Sequence, residues 1–193
     1  MALDEMVKYQ RAVPEHYPAI LRLQSANYIG HLPMEERREG FLSAEFTADQ
    51  IARMAADLGI MIAVDDKGVV AGYLCAFRNE FDHGSPVLAK MLESYDRVRF
   101  EGKPLSAYAS YVYGPVCIDR GYRRRGLLRG LYEAQRSDLA GEFEVGVAFV
   151  SRTNPNSLAA HVAGLGMVEA GDFEWMGNLY VILVFGLASK SLA

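Results

Sequence analysis

Residues 6–13, MVKYQRAV, alternate apolar and polar side chains, which predicts a half-buried strand. After Pro14 the apolar positions recur at helical spacing, so a helix is expected from about Glu15 to Tyr28. A second helical region is read over 34–58, with Thr47 capping its later half and Gly59 closing it. The period then drops to two. IMIAVDDKGVVAGYLCAF, 60–77, reads as two apolar strands around an Asp-Asp-Lys-Gly turn. Residues 82–104 are helical in the middle and bracketed by Gly and Pro, the mark of a long inserted connection. SAYASYVYGPVCID, 106–119, is a long strand interrupted at Gly114-Pro115. Proline brings no N–H to a ladder, so the strand should bulge or splay there.

A helix follows from about Arg124 to Ala140, then a strand over 144–150. PNSLAAHVAGLG reads as a short helix with Asn154 as its cap and Pro155 in its first turn. Residues 167–175 and 178–187 read as a closing antiparallel pair, the last strand apolar enough to offer a homodimer edge. There is no internal repeat, low-complexity tract or interdomain linker. The order β-α-α-β-β-β-α-β-α-β-β predicts one α/β domain, about 5–188, with a mixed sheet and helices on both faces.

Length and charge narrow this picture. A chain of 193 residues suits one well-cored domain. The net charge of −4 and pI near 5.6 argue against a general nucleic-acid binder. The start carries acidic residues where a secretory signal needs basic ones, and no run reaches membrane-span length. Cys75 and Cys117 lie in apolar segments without metal-ligand spacing and read as buried thiols of a reducing compartment. A cytoplasmic protein is expected.

Against this acidic background, GYRRRGLLRGLYEAQ (121–135) stands out. Arg120, Arg123, Arg124, Arg125 and Arg129 fall within ten residues, at the start of a helix that follows a strand. A helix start presents unpaired N–H groups and the positive end of the dipole, and so receives phosphate readily. Gly126 lets an anion approach the backbone, and arginines nearby can bond phosphate oxygens in pairs. The segment is not the nucleotide-triphosphate loop, since no Gly-Lys-Ser/Thr occurs. Nor does the spacing of Gly121, Gly126 and Gly130 fit the dinucleotide fingerprint.

RRRGLL, 123–128, resembles the signature of the GNAT superfamily of acyl-CoA-dependent N-acyltransferases: Arg or Gln, two residues, Gly, one residue, then Gly or Ala. It matches at Arg123 and Gly126 and departs at Leu128, whose bulk narrows the seat. SRTNPNSLAAHVAGLGM, 151–167, is similar to the family's next block, with an Asn opening a helix and a Tyr or His seven residues on. Asn154 and His161 have that spacing, but the following glycine, Gly166, comes one residue late.

The resemblance implies a mostly antiparallel sheet of about seven strands, splayed at the fourth and fifth, and acetyl-CoA as co-substrate. It assigns the amides of Val116 and Ile118 to the acyl oxygen and pantetheine arm. The amides of Arg123, Arg124, Arg125, Gly126, Leu127 and Leu128 fall to the pyrophosphate, Asn154 to the pantetheine arm, and His161 to proton donation at the thiol. The implied reaction is direct acetyl transfer to a primary amine of a small molecule or peptide.

An ammonium must first lose its proton, and Glu80, at the end of its strand, is the expected base. Glu80, Asp82 and His83 form an ionisable cluster that also reads as a solvated loop. Tyr108, Tyr111 and Tyr113 read as sheet residues bordering the acyl site. His16, His31 and His83 lack metal spacing, and no metal is expected. Two other readings stay open: a CoA-binding regulator without catalysis, and an anion- or nucleic-acid-binding module built on the arginines.

Overall fold

A computed structural model describes residues 7–82 and 84–187. Seven strands form one sheet: β1 (Lys8–Arg11), β2 (Ile60–Val64), β3 (Val70–Arg78), β4 (Ser110–Ile118), β5 (Val145–Ser151), β6 (Val168–Trp175) and β7 (Asn178–Gly186). Their spatial order is β1-β2-β3-β4-β5-β7-β6. Only β4 and β5 run parallel; every other neighbouring pair is antiparallel. Five helices flank the sheet: α1 (Tyr17–Asn27), α2 (Ala48–Asp57), α3 (Pro86–Leu92), α4 (Leu127–Leu139) and α5 (Pro155–Ala159).

The unbroken apolar run of β3 is explained by cover on both faces. Tyr73, Cys75 and Phe77 pack on one side with Ile20 of α1, Ile51 and Met54 of α2, and Leu88 and Met91 of α3. Leu74 and Ala76 pack on the other with Leu127, Leu131 and Tyr132 of α4. The strand period of two thus sorts one sequence into two cores. No helix among the described residues is long and apolar enough to cross a membrane.

Several expectations change in detail. Of the helical region 34–58, only a 3-10 turn at Glu36–Glu39 and α2 are helical. Between them, buried Gln24 of α1 donates to the Phe46 carbonyl at 2.8 Å and accepts from the Phe46 N–H at 2.9 Å. That pair holds the chain extended where a helix would pull it away. Thr47 does cap α2, in a reciprocal box with Gln50. The 82–104 insertion contains α3 and a two-residue ribbon, Arg99–Phe100 with Lys103–Pro104.

The last strand is not an edge. β7 lies between β5 and β6, paired on both sides, so its apolar character reflects burial and the free edge belongs to β6.

The interruption in β4 falls where Gly114-Pro115 predicts it. The register with β3 slips there, from Ala76 opposite Tyr113 to Leu74 opposite Val116. β4 and β5 pair only from Ser110 to Val112 against Val145 to Val147, then diverge. The gap that opens beyond Val112 is where the candidate site lies.

Candidate functional site

A groove of about 410 Å³ runs from this gap to the start of α4. Val116 and Ile118 of β4 line one wall, and Arg124, Gly126, Leu127 and Leu128 line another. The helix starts at Leu127 and not at Arg124, because Arg124 and Gly126 have φ of 62° and 81°. Left-handed residues cannot continue a right-handed helix, and Gly126 takes that conformation without steric cost. The first intrahelical bond runs from the Gly130 N–H to the Gly126 carbonyl at 3.1 Å. The N–H groups of Leu127, Leu128 and Arg129 therefore have no partner within α4. A β-carbon on Gly126 would meet nothing within 4 Å, so this glycine faces open space.

The five arginines have five different situations. Arg120 pairs with Glu36 at 2.5 Å. Arg123 reaches back to Asn27 Oδ1 at 2.7 Å and the Ile118 carbonyl at 3.3 Å. Arg125 stacks over Tyr122 at 5.2 Å and does not line the groove. Arg129 donates to the Gly164 carbonyl, bridging α4 to the turn after α5. Arg124 is exposed, lines the groove, and makes no hydrogen bond or ion pair with any described residue. Tyr122 is itself fixed by Asp65, in the β2–β3 turn, which accepts its hydroxyl proton at 2.6 Å. That bond and the N–H groups of Val69 and Lys67 hold the Asp65 carboxyl below the usual range.

At its inner end the groove meets a second chamber of about 120 Å³. Phe41, Leu42, Val116, Ser157 and His161 border both. His161 is buried, and its Nδ1 lies 2.7 Å from the Ser157 carbonyl oxygen. A carbonyl can only accept, so Nδ1 carries the proton and Nε2 the lone pair. Burial holds the imidazole pKa below its ordinary value, despite that hydrogen bond. The Tyr113 ring meets His161 edge-on at 5.6 Å.

His161 sits in a π-helical turn, Ala160–Gly164, that continues α5. Such a turn inserts one residue into a helix. This accounts for the late Gly166 in the sequence block.

Asn154 caps α5, accepting from the Ser157 N–H, and donates to the Phe41 carbonyl at 3.1 Å. It lines the inner chamber and not the arginine groove. Glu80 is exposed in the turn after β3 and lines neither cavity. Asp82 is likewise exposed, and His83 lies outside the described residues. Among the described residues no group of three potential metal ligands occurs. Cys117 borders the groove, but burial pushes its thiol up to about 12, so it is no nucleophile at neutral pH.

Sequence reading missed Asn27 and Asp65. Their contacts span 57 residues or more, and no local pattern signals them.

No family model and no curated protein matches the chain. Solved structures do. The GNAT-family N-acetyltransferase YhbS from Escherichia coli, in complex with CoA, superposes with a TM-score of 0.59 at 18% identity, covering 97% of this chain and 85% of that one. An N-acetyltransferase from Staphylococcus aureus gives 0.61 at 15% identity, over 95% of this chain and 99% of that one. The NatC complex bound to Gag peptide and CoA gives 0.64 at 13% identity, over 94% and 99%.

The fold is that of the GNAT acetyltransferases. On it, RRRGLL occupies the junction between β4 and α4, and the block from Asn154 to Met167 occupies α5 and its π turn.

Proposed function

We propose that the chain is an N-acetyltransferase that moves an acetyl group from acetyl-CoA to a primary amine of a small-molecule or peptide acceptor. The observation that carries this reading is the meeting of two cavities at His161. One leads to a helix start with free amides; the other fills the gap between β4 and β5.

The groove's donors suit CoA. The amides of Leu127, Leu128 and Arg129, with the uncommitted Arg124, would hold the pyrophosphate, and Gly126 admits it to the backbone. Arg123 and Arg125 act from behind, fixing the loop through Asn27 and Tyr122. The Val116 and Ile118 amides, on a strand that has left its neighbour, would meet the pantetheine arm and the acyl oxygen. Asn154 holds the Phe41 segment that divides the cavities. Two unpaired buried thiols fit a cytoplasmic setting.

Acetyl-CoA supplies an activated thioester. The acceptor's ammonium first releases one proton to water, and neutral His161 can then take a second on Nε2 as the new C–N bond forms. It then returns that proton to the departing sulfur as the C–S bond breaks. One imidazole so serves as base and acid, and exposed Glu80 has no direct part.

A thermal-shift titration tests the first half of this reading. CoA and acetyl-CoA at about 100 times Kd should add ~2.7 kcal/mol to stability, and ATP much less. Thiol release on adding amines tests the second. Stabilisation by CoA with no turnover across a broad amine panel would favour a CoA-binding regulator, a reading supported by the lack of a carboxylate among the described residues at either cavity. No stabilisation by either CoA or acetyl-CoA would sink both.

A further inference from the structure

The inner chamber bears on which amine is used. We infer that the acceptor carries a compact, uncharged apolar group beside its primary amine, and that the chamber between β4 and β5 receives that group. This deepens the transferase reading and rests on it.

The wall is built from three strands and two outside segments. Phe77 of β3, Val112 of β4 and Phe149 of β5 form the sheet side. Leu88 of α3 covers one flank, and Leu42 and Phe46 of the extended segment cover another. The insertion and the 40–46 segment thus close over the gap together.

Several polar side chains of this wall are already hydrogen-bonded. Asn154 is committed to the Phe41 carbonyl and the Ser157 N–H. Ser151 Oγ and Thr153 Oγ1 are hydrogen-bonded at 2.8 Å. Among the described residues no Asp, Glu, Lys or Arg lines the chamber. A second ammonium entering would lose its water and find no carboxylate, and an acceptor carboxylate would find no cation. Apolar matter loses nothing there and gains by leaving water.

Size sets the second limit. An apolar cavity of about 150 Å³ takes benzene. At about 120 Å³ this chamber suits a branched chain of four or five carbons better than a two-ring system. His161 fixes the orientation, because it stands where the chamber opens on the groove. The amine belongs at that mouth, beside Nε2, with the apolar group pointing inward.

The test compares two amines of similar reach with acetyl-CoA and the purified protein: 3-methylbutylamine and 1,4-diaminobutane. The monoamine should have the higher kcat/KM, by about 30-fold or more. The variant Ser85→Asp places a carboxylate on the chamber wall. Ser85 is the N-cap of α3, where Asp serves as well as Ser, so folding should survive. The variant should shift the preference toward the diamine by about tenfold or more.

Equal or better use of the diamine by the native protein overturns this inference and leaves the transferase reading standing. So does a preference for isovaleryl-CoA over acetyl-CoA without discrimination among amines, which would assign the chamber to the acyl chain. CoA binding without turnover of either amine also overturns it. If no CoA compound shifts the melt and no amine is acetylated, the transferase reading fails with it.

Discussion

The Nδ1 of His161 lies 2.7 Å from the carbonyl oxygen of Ser157, one turn earlier in the same helix. The bond selects the tautomer and points the basic nitrogen away from the backbone. His161→Gln keeps a polar side chain but removes the basic nitrogen. It should lower kcat by about 10²–10⁴-fold, the usual range for a lost acid–base group. CoA affinity, read by thermal shift, should change little. Equal losses in both would instead mark His161 as a packing residue.

The arginines should divide by variant. Arg124→Ala should weaken CoA binding by about 10–100-fold, equivalent to one charge-assisted bond of ~1.5–3 kcal/mol. The melting temperature of the free protein should hardly move, because Arg124 makes no hydrogen bond or ion pair with any described residue. Arg123→Ala should lower the melting temperature of the free protein, since buried Asn27 loses its donor. Calorimetry on the two variants decides this.

Two glycines should fail for different reasons. Gly146 on β5 lies under the Phe185 ring, and an added β-carbon would fall 2.2 Å from Cζ. Phe185 is locked among Tyr111, Tyr113 and Tyr132. Gly146→Ala should cost about 1–3 kcal/mol in a denaturant titration, as overpacked cores do. Gly126→Ala has room for its methyl but must hold φ near 81°. It should cost about 1 kcal/mol and, separately, weaken CoA binding.

Acid should unfold the protein in two stages. His161 has a folded pKa below its unfolded value. The unfolded chain therefore takes up a proton first, and stability should begin to fall as pH drops below about 6.5. Asp65 has a lowered carboxyl pKa, so it stabilises the fold above the unfolded value near 4. That contribution is lost as pH falls through the folded pKa. Asp65→Asn should flatten the lower limb of a melting-temperature profile and leave the upper limb unchanged. His161→Gln should do the reverse.

The strand and helix order was legible because burial imposes a period. Residues 60–77 read as two strands, and they are β2 and β3. Thr47, and Asn154 with Pro155, marked helix starts, because capping is chemistry between residues three apart. Gly114-Pro115 marked the slip in β4, since a missing N–H is a local fact. The glycine-arginine junction at the start of α4 was visible for the same reason.

Other features depend on residues far apart in the chain. Nothing near Arg123 says that Asn27 will take its guanidinium, and nothing near Arg120 announces Glu36. Five arginines read as one patch; folding committed some of them to structure and left Arg124 facing the groove. The apolar last strand read as an edge, because a strand buried by two neighbours and one awaiting a partner have the same composition. The sequence by itself determined the elements, their order and the anion-seeking turn, all matters of periodicity and backbone chemistry between near neighbours. Only the tertiary structure decided which charges stay free, that His161 stands between two cavities, and that no Asp, Glu, Lys or Arg among the described residues lines the inner one. Those are properties of surfaces built by segments that meet only when the sheet closes.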